Sequence, residues 1–190
     1  EVIGKSTTKV TVNAIAYVNG RRSSNANLDN WSITIEEIQG KIVAKAEEVN
    51  NSGWFRCCKN ESIAFEIETP VNTELNARTS GGSVNIENLS GNQYARTSGG
   101  SMEANNIQGN VEMRTSGGAI RLENIEGQAE VATSGGSIRA KKVTQGLKAR
   151  TSGGSLHFQE ISGSLEARTS GGSIDVRLVN PIEYIEVATS

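Results

Sequence analysis

Between residues 71 and 190, apolar and polar positions alternate in short bursts, and the bursts recur every 18 residues. In one unit, Leu165, Ala167 and Thr169 alternate with Glu166, Arg168 and Ser170. After Gly171-Gly172, Ile174 and Val176 alternate with Asp175 and Arg177. Alternation at period two puts successive side chains on opposite faces of a strand. The pattern therefore predicts a strand, a Gly-Gly corner, a second strand and a short third segment. That third segment carries an apolar residue and usually a glycine, as in Leu89-Ser90-Gly91, Ile107-Gln108-Gly109 and Ile125-Glu126-Gly127.

The corner is the most regular part of the unit. Thr-Ser-Gly-Gly begins at Thr79, Thr97, Thr115, Thr133, Thr151 and Thr169, always 18 residues apart. A fixed short period is the mark of a solenoid, in which each repeat packs on its neighbours. Stacking the units aligns four apolar ranks. They run Val84, Met102, Ile120, Ile138, Leu156 and Ile174; Ile86, Ala104, Leu122, Ala140, Phe158 and Val176; Leu89, Ile107, Ile125, Val143, Ile161 and Val179; and Ala77, Ala95, Met113, Val131, Ala149 and Ala167. With strands about 4.8 Å apart, six coils make a rod on the order of 30 Å long around one thin core. A single Gly-Gly would read as a linker; six copies in register read as a structural corner in which positive φ is reached without a Cβ clash. The fold class is all-β: a single-stranded, right-handed parallel β-helix with 18-residue coils. The hand follows the default crossover of parallel strands. No internal six-residue repetition points to the left-handed alternative.

The first third is less regular. Residues 1–70 read as an irregular N-terminal β segment and cap belonging to the same solenoid, and residues 71–190 as its regular repeats. Ser32 to Gly40 align with Ser83 to Gly91, so a half-coil is predicted there. Thr8 to Tyr17 and Ser62 to Glu68 alternate like strands. Trp31, Trp54, Phe55 and Phe65 all fall in this part and read as bulky plugs for an exposed core end. At the other end Asn180-Pro181 interrupts the period, and Thr189-Ser190 follows Thr169 by 20 residues. A native chain continuing past Ser190 is expected.

Composition changes this picture little. A formal net charge of −2 gives no bulk attraction to nucleic acid. No apolar run is long enough for a membrane-spanning helix. The two cysteines, Cys57 and Cys58, are adjacent and offer neither a disulfide framework nor metal-ligand spacing. One histidine, His157, sits at an outward position and has no evident partner for a catalytic triad or a zinc site. The two aspartates, Asp29 and Asp175, lie far apart, and no aspartate recurs after the glycines as calcium-binding β-rolls require. No metal, nucleotide or organic cofactor is expected.

The repeated phrase Ala-Arg-Thr-Ser-Gly-Gly-Ser-Val followed by Asn-Ile-Glu-Asn-Leu-Ser-Gly, residues 77–91, resembles the bacterial adhesin-type repeats related to the auto-transporter adhesin head (GIN) domains. Ile67-Glu68-Thr69-Pro70 ahead of Leu75-Asn76-Ala77-Arg78 is similar to the junction in those sequences between an irregular β start and the repeats. The resemblance covers roughly residues 30 to 190. It implies a secreted, periplasmic or cell-surface bacterial protein that binds a glycan or a host surface protein. It brings no catalytic motif.

One candidate binding feature remains. Arg78, Arg96, Arg114, Arg150 and Arg168 occupy the outward position before each threonine, and Ala132 breaks the rank. Stacked guanidinium groups repel by roughly 1 kcal/mol or less per solvated pair. Glu112, Glu130 and Glu166, two residues earlier, can pair with them, or the ladder can bind carboxylates or sulfates of an acidic glycan. The threonines follow the inward phase and are expected to bond to each other and to the corner backbone. The expected function is non-catalytic binding or adhesion. The alternatives are a structural module assembling through its solenoid ends and a polysaccharide-active enzyme.

Overall fold

A computed structural model describes residues 1–49, 61–178 and 182–189. Among these residues every regular element is a strand and none is a helix. The repeats form a parallel β-solenoid of about six coils, each contributing one strand to each of two sheets. The first sheet stacks Val84–Ser90, Met102–Gln108, Ile120–Glu126, Ile138–Val143, Leu156–Ile161 and Ile174–Arg177 in that order. The second stacks Leu75–Arg78, Gln93–Arg96, Val111–Arg114, Ala129–Ala132, Leu147–Thr151, Gly163–Thr169 and Ile182–Thr189. The register is 18 residues at every rung from Leu75 to Arg177. All four apolar ranks point inward, and most of their members are buried to within a few per cent. Val179 of the third rank, with Asn180-Pro181, lies outside the described residues.

A fifth inward rank, Leu75, Gln93, Val111, Ala129, Leu147 and Leu165, completes the core. Gln93 is buried in it; its amide nitrogen donates to the Thr73 and Gly91 carbonyls at 2.9 Å each.

Inside the first sheet the inward positions are not evenly spaced. Met102 and Ala104 are followed by Ile107, because Asn106 between them lies in the left-handed region. The same conformation recurs at Asn88, Asn124, Lys142 and Glu160, with φ between 54° and 59° in this rank. Each such residue bends its strand and returns the next apolar side chain to the core. Asparagine tolerates this region well. The side chains of Asn88, Asn106 and Asn124 also form an amide ladder, each Nδ2 donating to the preceding Oδ1 at 3.0 Å.

The glycine corner works differently from the expectation. None of the Thr-Ser-Gly-Gly glycines has positive φ; the positive-φ glycines in the coils are Gly91, Gly109, Gly146 and Gly163, beyond the long strand. The second glycine of each pair is required by proximity instead. A Cβ on Gly100, Gly118, Gly136, Gly154 or Gly172 would lie 1.9–2.1 Å from the carbonyl oxygen of the equivalent glycine one coil back. The first glycines, such as Gly135, would meet nothing closer than 3.3 Å.

The threonines bridge this contact, although not to one another. Thr97, Thr115, Thr133, Thr151 and Thr169 are buried. Each Oγ1 accepts from the second glycine N–H of its own corner at 3.2–3.3 Å. Each also donates to the second glycine carbonyl of the preceding corner at 2.9–3.0 Å.

The N-terminal part joins the rod and then departs from it. Val2–Lys5 inserts in parallel between Val84–Ser90 and Glu61–Pro70, burying Val2 in the core. Thr11–Val18 pairs antiparallel with Glu61–Pro70, so both alternating segments expected here are strands. Residues 32–40 do not form a half-coil. Trp31–Ile38 and Lys41–Glu48 are an antiparallel hairpin. Gln39 and Gly40 both have positive φ, which closes a two-residue turn and sends the chain back. Of the aromatic plugs, Trp31 sits half-buried on this hairpin and Phe65 half-buried opposite Ala14, so neither belongs to the core cluster. Trp54 and Phe55 lie outside the described residues. Ile67, Leu75 and Ala77 pack against the N-terminal end of the core instead.

Two outcomes follow from the corner. Gly136→Ala is expected to lower stability by at least about 1–3 kcal/mol, the usual range for overpacking, while Gly135→Ala stays near wild type. Chemical denaturation of both variants checks this, and equal midpoints would contradict it. Thr133→Val keeps the shape but strands a buried N–H and carbonyl. A loss of about 1–3 kcal/mol is expected in the same measurement.

Candidate functional site

The core leaves two outward faces on which side chains can act. On the second sheet the arginine ladder stands as expected, and most of it is already satisfied. Arg114 Nε and Nη2 each lie 2.9 Å from a carboxylate oxygen, of Glu112 and Glu130 respectively. The second pair reaches toward the gap at Ala132, which is in register with Arg114. Arg150 is 3.7 Å and Lys148 3.4 Å from Glu166, and Arg168 pairs with Glu186. Arg78 Cζ stands 5.6 Å over the ring of Tyr94. Among the described residues, Arg96 is the one ladder member with neither an ion pair nor a ring partner. Glu186 is held below the usual carboxylate range by the Tyr184 hydroxyl, 2.9 Å away, and by the Arg168 guanidinium; the same contact raises Tyr184.

The outer face of the first sheet carries a second arrangement. One outward rank runs Asn85, Glu103, Arg121, Arg139, His157 and Asp175, rung by rung. Its neighbour two residues on runs Glu87, Asn105, Glu123, Lys141, Gln159 and Arg177. The two ranks border an open groove of about 460 Å³. Acidic residues dominate the first rungs, and cations the later ones. Lys141 is 3.7 Å from Glu123 and Arg177 is 3.9 Å from Asp175. Arg121 and Arg139 are adjacent, exposed and without an ion pair among the described residues. His157, half-exposed, follows Arg139 in the rank.

Sequence reasoning passed over this cluster. Its signal is the 18-residue alignment itself, read at the position after each Val84-type core residue. The residue type changes at almost every rung there, so no repeated letter draws the eye as Arg does before each Thr.

Nothing on either face assembles a catalytic set. Asp29 sits in the turn before Trp31 and Asp175 on the last long-sheet strand. Among the described residues, no group of three or more His, Cys, Asp or Glu side chains could hold a metal ion. Cys57 and Cys58 lie outside the described residues. No helix among the described residues is long and apolar enough to cross a membrane.

A family model described as Toastrack DUF4097 matches residues 2–190. No curated protein and no solved structure matches the chain.

The ladder's ion pairs are solvent-exposed, and such pairs are worth about 0–1 kcal/mol. Arg114→Ala, which removes both short bridges, is therefore expected to shift the denaturation free energy by no more than about 1 kcal/mol. A larger loss would mean that the ladder holds the rod together.

Proposed function

The chain belongs to the Toastrack DUF4097 family of β-solenoid domains, and from that premise we propose that it is a non-catalytic binding module of a bacterial surface or secreted protein, serving adhesion or a related recognition task. The observation that carries this reading is the division of labour within each coil. Every inward position from Met102 to Thr169 is committed to the core or to the corner bonds. Outward positions on both sheets vary freely from rung to rung while the register never slips. A rod of this kind presents an extended face whose chemistry can change without disturbing the fold. Solenoids characteristically use such faces for binding.

The observed side chains supply recognition groups and no reaction machinery. Guanidinium, amide and carboxylate groups stand in rows. No nucleophile is in contact with a base, and no pair of carboxylates flanks a cleft in the manner of a glycosidase.

A second reading has one specific observation in its favour. Ile174–Arg177 and Ile182–Thr189 are the terminal strands of their sheets, and Ile185 and Val187, in register with core residues Leu165 and Ala167, are 47% and 46% exposed. A free strand edge beside apolar surface is a template for another chain. End-to-end association would use this edge.

Antibody labelling of intact and lysed source cells tests the principal reading. Labelling of intact cells is expected, and labelling only after lysis would contradict it. Sedimentation of the purified chain over a range of concentrations separates the second reading. The binding-module account expects a monomer, and concentration-dependent growth of the particle would favour assembly.

A further inference from the structure

Resting on the binding reading above, we propose that the groove on the outer face of the first sheet binds a linear acidic polysaccharide, one bearing carboxylates or sulfates, through the paired guanidinium groups of Arg121 and Arg139.

The first argument is charge balance. Elsewhere on the rod, cations on neighbouring rungs have a carboxylate or a ring beside them: Arg114 has Glu112 and Glu130, Arg150 and Lys148 share Glu166, Lys141 has Glu123, and Arg78 has Tyr94. Arg121 and Arg139 are direct register partners and have no such offset among the described residues. Their separation is one strand spacing, about 4.8 Å, where like charges in water repel. An anion seated between them relieves that repulsion. The guanidinium fork matches the two oxygens of a carboxylate or sulfate.

The second argument is shape. Both arginines line the same concave strip, with His157 continuing it by one rung. The strip spans several coils, so it suits an extended chain better than a compact ligand.

The third argument separates a sugar polymer from a nucleic acid. Glu123 and Asp175 line the same groove, alongside Gln159. Carboxylates and an amide accept hydrogen bonds from sugar hydroxyls, but they repel an unbroken run of phosphates. The one aromatic ring at the groove, Phe158, is buried in the core and offers no exposed face on which a base could stack.

The test is a binding titration of the whole chain with heparin, as a sulfated polymer, and polygalacturonate, as a uronate polymer. Neutral glycans, inorganic sulfate and a short DNA duplex are run beside them. Wild type is expected to bind at least one acidic polymer, more weakly as salt rises. Arg121→Ala with Arg139→Ala should weaken binding at least tenfold, whereas Arg96→Ala with Arg114→Ala should change it less than twofold. All four positions are exposed, and unchanged circular dichroism and melting of each variant confirm that the rod is intact. Four results would overturn the proposal: no acidic polymer binds; the Arg121/Arg139 variant binds as wild type does; millimolar sulfate competes as well as the polymer, which marks a small-anion site; or the duplex binds as tightly. Binding of a neutral glycan alone would defeat this proposal while leaving the binding module in place.

Discussion

The rod depends on a bond that crosses from one coil to the next at the corner. The hydroxyl of each buried threonine takes the N–H of a glycine three residues on and gives its own hydrogen to the matching glycine carbonyl one coil earlier. That carbonyl belongs to a residue whose N–H is held by the previous threonine. The result is a relay running along the rod, from Gly82 to Gly172, in which backbone and hydroxyl alternate. It can exist only where the backbones approach closely enough to exclude a Cβ. Threonine and the second glycine are thus two halves of one requirement. Buried polar groups are costly when unpaired, and here both backbone partners are satisfied by a single side chain.

With the corner settled, the remainder of the coil can be narrow. Five inward ranks of modest side chains fill the space between two sheets, and residues in the left-handed region rotate the chain so that a third stretch of each coil also faces inward. In three coils asparagine fills that position and adds its amide ladder; in the next two Lys142 and Glu160 hold the same backbone conformation without it. The backbone geometry therefore persists where its preferred residue does not, because the coils on either side impose it. The same persistence frees the outward ranks. One is a mostly neutralised lattice of arginine and glutamate, and the other a groove with an uncompensated arginine pair. Recognition chemistry can differ between faces because neither face holds the coils together.

The 18-residue coil, four of the five core ranks and the inward threonines were legible in the sequence, since each repeats one residue class at one spacing. The fifth rank was obscured at its second member, where polar Gln93 replaces an apolar residue. The purpose of the glycines was not legible. Positive φ and close approach call for the same residue, and only the positions of neighbouring carbonyls distinguish them. The stretch 32–40 misled for a related reason: Ser-Ile-Thr-Ile-Glu-Glu-Ile-Gln-Gly carries the apolar spacing of a half-coil. Whether its end turns onward or back depends on one additional residue, Gln39, adopting positive φ. The insertion of Val2–Lys5 between residues 61–70 and 84–90 was beyond sequence reasoning, because pairing across such distances leaves no local pattern. The ladder of arginines was legible as a row. Its partners were legible only in part: Glu112, Glu130 and Glu166 stand two residues before a threonine-preceding position, but Glu186 lies in the last strand, after the period has slipped.

Amide hydrogen exchange, followed residue by residue, tests the corner relay most directly. If the threonine relay ties the coils together, the N–H groups of Gly100, Gly118, Gly136 and Gly154 exchange as slowly as those of the core strands beside them, and the rod opens as one unit. Exchange of those four amides at the rate of exposed loops, with the strands still protected, would contradict the account and leave the apolar ranks alone to hold the stack.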